Sequence, residues 1–82
     1  MEKVKLPENA KFYLSKSDSG ETFIATNENE CLVAFIPETG FSHVWKHETP
    51  YKKSDGELLQ EITTAQFISG LYRAKYEVEP YE

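Results

Sequence analysis

The sequence has only one cysteine, Cys31, among its 82 residues. One cysteine excludes an intramolecular disulfide, whereas exported domains of this size usually carry several. The longest apolar run covers residues 32–36, and a membrane-spanning helix needs about twenty such residues. The first residues also lack the apolar stretch of a secretion signal. We therefore expect a cytoplasmic protein without membrane contact, in which Cys31 is a small apolar core residue.

Basic residues are scarce in this chain. It has 9 lysines and arginines against 14 acidic residues, a formal net charge of −5, and no basic cluster larger than Lys52-Lys53. A protein that neutralises nucleic-acid phosphates needs a basic surface, so this charge argues against direct nucleic-acid binding. An acidic surface instead favours a basic partner protein, or it serves solubility alone.

The apolar content is nevertheless sufficient for a folded domain. Hydrophobic residues make up 39% of the chain and aromatic residues 13%, and each large ring buries much apolar area. A chain of this length fits one domain with a thin core. We expect a single domain over residues 1–82, with extended or frayed ends at 1–10 and 77–82.

The first half of the chain has the pattern of short antiparallel strands. The turn residues at 17–20 separate two segments of alternating or β-rich composition, as in a hairpin. Residues 31–36 are almost wholly apolar, which is typical of a central strand buried on both faces. Farther on, His43, Trp45 and His47 share one face of an alternating segment. Short connections predict a four-strand meander, with strands at residues 11–16, 21–26, 31–36 and 41–47.

The last third predicts one helix, whose beginning has two interpretations. Apolar residues at helical spacing permit a helix from residue 56 to about residue 75. Alternatively, residues 57–62 are a fifth short strand, and the doubled threonine Thr63-Thr64 caps a shorter helix. We favour the second interpretation, in which Gly70 allows a close approach of the helix to the sheet. The predicted fold class is α+β, a small antiparallel sheet packed against one C-terminal helix.

The two histidines are the first candidates for chemistry. His43 and His47 have the spacing of zinc-protease helices, but no glutamate follows the first histidine. On a strand they would lie about 13 Å apart, too far to bind one metal ion. Catalytic cysteines are often activated at the N-terminus of a helix. Cys31 instead stands at the beginning of an apolar run. We therefore expect no enzyme, no catalytic residue, no cofactor and no bound metal. A metal- or ligand-binding domain that uses His43 and His47 is an alternative hypothesis.

Aromatic residues exceed what so small a core requires. Tryptophan, tyrosine and arginine are enriched among the anchor residues of protein interfaces. We predict a binding surface on the outer sheet face and the C-terminal helix, formed by Trp45, Tyr72, Arg73 and Tyr76. The alternative is that several tyrosines cover the sheet with only their hydroxyls in water. The favoured function is a non-enzymatic protein–protein interaction or regulatory accessory module with an aromatic and acidic surface.

The carboxylates support a second hypothesis, that of an acidic mimic. Such a protein imitates nucleic-acid phosphates and inhibits a nucleic-acid-binding enzyme or defence complex. The candidate acidic patch consists of Glu57, Glu61, Glu77, Glu79 and Glu82. Self-association into a homodimer through an exposed edge strand is a further expectation. In size, acidity and element order the chain resembles many accessory proteins of bacteria, prophages and phages, a likeness of general form that implies no residue roles.

Overall fold

Five antiparallel strands and one helix form the fold of residues 2–79, the part of the chain that the computed structural model describes. In chain order the elements are β1 (Glu2–Val4), β2 (Lys11–Ser17), β3 (Gly20–Thr26), β4 (Cys31–Pro37), β5 (His43–His47), β6 (Gln60–Glu61), α1 (Thr64–Arg73) and β7 (Tyr76–Val78). The five-stranded sheet has the order β5-β4-β3-β2-β6. A separate parallel ribbon joins the first and last of these strands, β1 and β7.

The sequence prediction of an α+β fold is thereby confirmed, including the four-strand meander from β2 to β5. The hairpin between β2 and β3 depends on Gly20, which has a φ of +153°. A Cβ atom at this position would overlap the carbonyl oxygen of Ile36 on β4. Glycine is therefore the residue that lets β3 begin close against β4.

The sheet buries apolar residues on both faces, because side chains alternate along each strand. On one side, which we call the helix face, strand residues meet the buried side of α1. The cluster there comprises Phe23, Ala25, Leu32, Ala34, Ile62, Phe67 and Leu71. On the opposite side, the loop face, Ile24, Cys31 and Val33 form a second buried cluster. β4 contributes to both clusters, as its uninterrupted apolar run predicts.

The chain from β5 to β6 crosses the loop face. Tyr51 and Leu59 from this segment pack against the second cluster, and the backbone N–H of Tyr51 donates to the Thr26 hydroxyl over 3.0 Å. Cys31 beneath it is 2% exposed, which confirms its place in the core, and burial raises the pKa of its thiol. The segment from 48 to 59 thus has the covering role on this face that α1 has on the other.

The helix begins where the doubled threonine predicts. Thr63 is the N-cap: its hydroxyl accepts from the backbone N–H of Gln66 over 3.1 Å. In return the Gln66 side chain accepts from the backbone N–H of Thr63 over 2.8 Å, which completes a capping box. Before it, Gln60–Glu61 pairs antiparallel with β2. The fifth strand and the shorter helix are therefore both present, and the strand is shorter than residues 57–62.

Gly70 brings α1 close to the sheet. A Cβ atom at this position would lie 2.7 Å from carbon atoms of the Phe23 ring, well inside van der Waals contact. The helix can therefore approach β3 this closely because residue 70 has no side chain. This confirms the prediction that Gly70 serves packing, despite its cost in helix propensity. Within residues 2–79, no helix has the length and apolar character needed to cross a membrane.

The two ends of the described chain meet in the parallel ribbon. Glu2 pairs with Tyr76 and Val4 with Val78, and the backbone N–H of Glu79 donates to the carbonyl of Val4 over 2.6 Å. Val4, Tyr76 and Val78 pack against the helix-face cluster. Of the residues expected to be extended or frayed, 2–4 and 77–78 are extended and paired, and β7 begins one residue earlier, at Tyr76. Residue 1 and residues 80–82 lie outside the described part.

Candidate interaction surface

β5 forms one edge of the five-stranded sheet. Its inner side pairs with β4 over all five residues, from His43 opposite Phe35 to His47 opposite Cys31. Along the described chain, no strand pairs with its outer side. An edge strand presents unpaired backbone N–H and C=O groups to its surroundings. Within residues 2–79, the outward-pointing backbone N–H and C=O groups of alternate β5 residues therefore have no strand partner.

The opposite edge of the sheet is better covered. β6 pairs with Tyr13 and Leu14 of β2, and the backbone N–H of Ile62 donates to the Phe12 carbonyl over 3.0 Å. Near the end of the same strand, residues 54–58 of the covering segment lie beside Ser15. The edge of β2 is thus occupied at its centre and flanked beside Ser15, whereas no strand of residues 2–79 pairs with the outer side of β5.

Trp45 stands at the centre of the open edge strand. It is directly opposite Val33 on β4, so it belongs to the loop face with the second buried cluster. It keeps 40% of its surface exposed, and its ring meets that of His47 edge-on, with 6.4 Å between ring centroids. A shallow groove of about 260 Å³ lies beside it, bounded by Pro50 and Tyr51 of the covering segment.

Phe41, just before β5, is a second exposed aromatic residue. It is 89% exposed, more than any core role would allow. Phe41 was not among the binding residues predicted from the sequence. The sequence does contain an indication of its position: Phe41 alternates in phase with His43, Trp45 and His47, which places it at the start of the same edge. With Trp45 it gives the β5 edge two large aromatic side chains in water.

The other predicted binding residues lie on the helix side of the molecule. Tyr72 is 61% exposed on α1. Arg73 forms an ion pair with Glu21 at 3.1 Å, and its guanidinium carbon lies 6.0 Å from the centroid of the Phe23 ring. Tyr76 is half-buried against the helix-face cluster. The structure brings these three to one side of the sheet and Trp45 to the other, and their role in partner binding stays a prediction.

Two further tyrosines have a covering role. Tyr13 and Tyr51 are half-buried and pack against the loop-face cluster. Burial raises the pKa of Tyr51 to about 12, and the hydrogen bond to Glu57 adds to this effect. For these two residues the structure supports the alternative interpretation, in which tyrosines cover the sheet.

The five predicted acidic residues lie in different parts of the fold. Glu57 is half-buried in the covering segment, where it accepts hydrogen bonds from the Tyr51 hydroxyl. Glu61 is exposed on β6. Glu77 pairs with Lys3 in the β1–β7 ribbon, and Glu79 follows it, while Glu82 lies outside the described residues. The carboxylates are thus divided between the β6 end of the sheet and the ribbon.

The histidines of β5 are both exposed on the loop face. Across residues 2–79, no group of three or more histidine, cysteine, aspartate and glutamate side chains is placed to hold a metal ion. No protein-family model matches this sequence, and comparisons with curated proteins and with solved structures give no match either. The open edge with Trp45 and Phe41 is therefore the feature on which a function can be argued.

Proposed function

We propose that this protein is a small non-enzymatic interaction module that binds an extended segment of a second polypeptide chain along β5. The observation that carries the proposal is a five-residue edge strand whose outer side pairs with no strand of the described chain, with a tryptophan 40% exposed at its centre. A segment added beside β5 would continue the sheet, a common mode of peptide recognition. Backbone hydrogen bonds would supply affinity, and pockets for alternate side chains would supply selectivity.

The usual protection of an edge strand is weak at β5. Natural edge strands are often guarded by a proline or by a free lysine. Residues 43–47 contain no proline, and their one lysine, Lys46, forms an ion pair with Glu30 at 3.0 Å. Lys46 also lies opposite Leu32, on the helix face. Its side chain is thus directed towards Glu30, although it keeps 51% of its surface exposed.

The exposed aromatic residues provide anchors for a partner. Burying a large ring of this kind contributes more than most interface contacts, and tryptophan is among the residues most often found at energetic centres. The groove beside Trp45 gives a partner side chain a place to enter next to the ring. The cytoplasmic location expected from the single cysteine is part of the same proposal.

Two lysine substitutions of exposed aromatic residues test the proposal. Trp45→Lys places a charge on the open edge, whereas Tyr72→Lys makes the same kind of change on the helix side. Immobilised protein would capture partners from a cell lysate, and the partner identified by mass spectrometry would then be titrated in purified form. We expect Trp45→Lys to weaken binding by at least about tenfold, equivalent to about 1.4 kcal/mol, and Tyr72→Lys to bind like the unsubstituted protein.

Thermal unfolding of both variants supplies the control for folding. Tyr72 is 61% exposed, so Tyr72→Lys should melt close to the unsubstituted protein, whereas Trp45 is 40% exposed and Trp45→Lys should melt somewhat lower. Binding is therefore compared at a temperature below all three transitions. Unchanged binding by Trp45→Lys would overturn the proposal. An equal loss of binding in Tyr72→Lys would indicate that the binding surface includes the helix side, where Arg73 and Tyr76 also lie.

A further inference from the structure

We propose that the occupant of the open edge is a second copy of this chain, with β5 paired antiparallel to β5 and centred on Trp45. This inference rests on the proposed function for the position of the surface, and it names the partner. The pairing would extend the sheet across a two-fold axis through the two Trp45 residues.

The sequence of β5 is self-complementary in this register. Residues 43–47 are His-Val-Trp-Lys-His, so an antiparallel pair centred on residue 45 places Trp45 opposite Trp45 of the second copy. In the same register His43 faces His47 of the second copy, and Val44 faces Lys46 of the second copy. Aromatic cross-strand pairs stabilise antiparallel sheets, and the methylene chain of a lysine packs well against valine. Each side chain thus meets a compatible partner without any change of register.

The charges around β5 also permit self-pairing. A chain of net charge −5 generally repels its own copies, but β5 contains no carboxylate. The one permanently charged side chain of the strand, that of Lys46, is paired with Glu30 of its own chain at 3.0 Å. Two β5 strands can therefore approach without placing two uncompensated like charges opposite each other.

On the loop face the segment that follows β5 runs away from its outer side, while Val4 and Lys5 lie near Val44 and Lys46. After His47 the backbone turns over the loop face, where the Tyr51 N–H reaches the Thr26 hydroxyl at 3.0 Å. It runs from there towards β6 at the other end of the sheet, away from the outer side of β5. A pairing of two five-residue strands is small for a specific interface, so we expect a dimer that dissociates on dilution.

Cysteine cross-linking tests the register directly. Opposed residues of an antiparallel pair have Cα atoms about 4.5–5.5 Å apart, within the reach of a disulfide. In this register, residue 43 of one copy is opposite residue 47 of the second copy. It lies about 13 Å along the strand from residue 43 of the second copy. His43→Cys and His47→Cys are therefore each unable to cross-link alone, whereas an equimolar mixture of the two can. Trp45 remains intact in both variants.

Both variants need the background substitution Cys31→Ala. Cys31 lies directly opposite His47 on β4, and a new thiol at position 47 would otherwise form a disulfide within the chain. Under mild oxidation we expect the mixture to give at least about ten times more covalent dimer than either variant alone. Circular dichroism of each variant confirms that the background fold is intact.

Sedimentation of the unsubstituted protein supplies an independent measurement. We expect a monomer–dimer equilibrium that Trp45→Lys shifts to monomer and that Tyr72→Lys leaves unchanged. A monomer up to the solubility limit overturns the inference, as does a mixture that cross-links no better than the single variants. If the chain is monomeric and still binds a different protein through Trp45, the proposed function stands and this inference alone fails.

Discussion

The Tyr51 hydroxyl lies 2.8 Å and 3.0 Å from the two carboxylate oxygens of Glu57. This contact ties together the segment that covers the loop face of the sheet. Burial would raise the pKa of Glu57, but hydrogen bonds from Tyr51, from the backbone N–H of Ser54 and from Ser15 outweigh it, so the pKa is lowered. Burial raises the pKa of Tyr51 from 10.0 to about 12, and the Glu57 carboxylate adds to the rise.

The first prediction is a loss of stability at alkaline pH that depends on Tyr51. A pKa that is higher in the folded chain means that the unfolded chain releases the proton first. The contribution of Tyr51 is therefore fully present below pH 10 and is lost as pH rises towards about 12. Urea unfolding over this range should show a larger decline for the unsubstituted protein than for Tyr51→Phe. Parallel declines in the two proteins would show that Tyr51 titrates normally.

The second prediction concerns the contact between α1 and β3. Gly70→Ala would raise helix propensity by about 1 kcal/mol, but the added methyl would lie 2.7 Å from the Phe23 ring. That ring is 5% exposed, so it has little room to move, and overpacking a core typically costs about 1–3 kcal/mol. We expect a net loss of about 1 kcal/mol in the free energy of unfolding, measured with urea.

Ser69→Ala is the matched control for this change. Ser69 precedes Gly70 on the same helix and is exposed, so alanine there gains helix propensity without a contact to the sheet. It should leave stability unchanged or raise it by a few tenths of a kcal/mol. A stabilised Gly70→Ala variant would mean that the helix lies farther from Phe23 than the structure places it.

The third prediction distinguishes the two adjacent threonines. Thr63→Ala removes the hydroxyl that accepts from Gln66, and loss of an N-cap typically costs about 1 kcal/mol. Thr64 is the first helical residue, and it is exposed, so Thr64→Ala should be neutral or slightly stabilising. Chemical unfolding of the two variants measures the difference. Equal effects would place the start of the helix elsewhere.

These local features were predictable because their physical causes are local. The apolar run of β4, the turn before Gly20 and the doubled threonine each act within a few residues of the chain. The separation of Trp45 from Tyr72 was not predictable in the same way. Alternation along β5 shows that Trp45 shares a face with His43 and His47, but it does not show which face α1 will cover. That depends on long-range packing, which also decides how the ends of the chain pair.

The β1–β7 ribbon was not predicted for the same reason. Each strand has three residues, too few for a recognisable period, and the two segments lie at opposite ends of the chain. Their pairing is stabilised by packing: Val4 and Val78 face each other in the ribbon and both contact the helix-face cluster. The contribution of the ribbon to stability can therefore be measured through Val4.

The last prediction is that Val4→Ala lowers the free energy of unfolding by about 1 kcal/mol, because two methyl groups of a half-buried side chain are removed. Lys3→Ala is the matched control: Lys3 is exposed on the same strand, opposite Glu77, and an exposed pair of this kind contributes little. Hydrogen exchange at the Glu79 amide, which donates to the Val4 carbonyl, should accelerate in Val4→Ala but not in Lys3→Ala. If neither variant changes stability or exchange, the ends of the chain do not contribute to the core, and the fold is stabilised by the sheet, α1 and the covering segment alone.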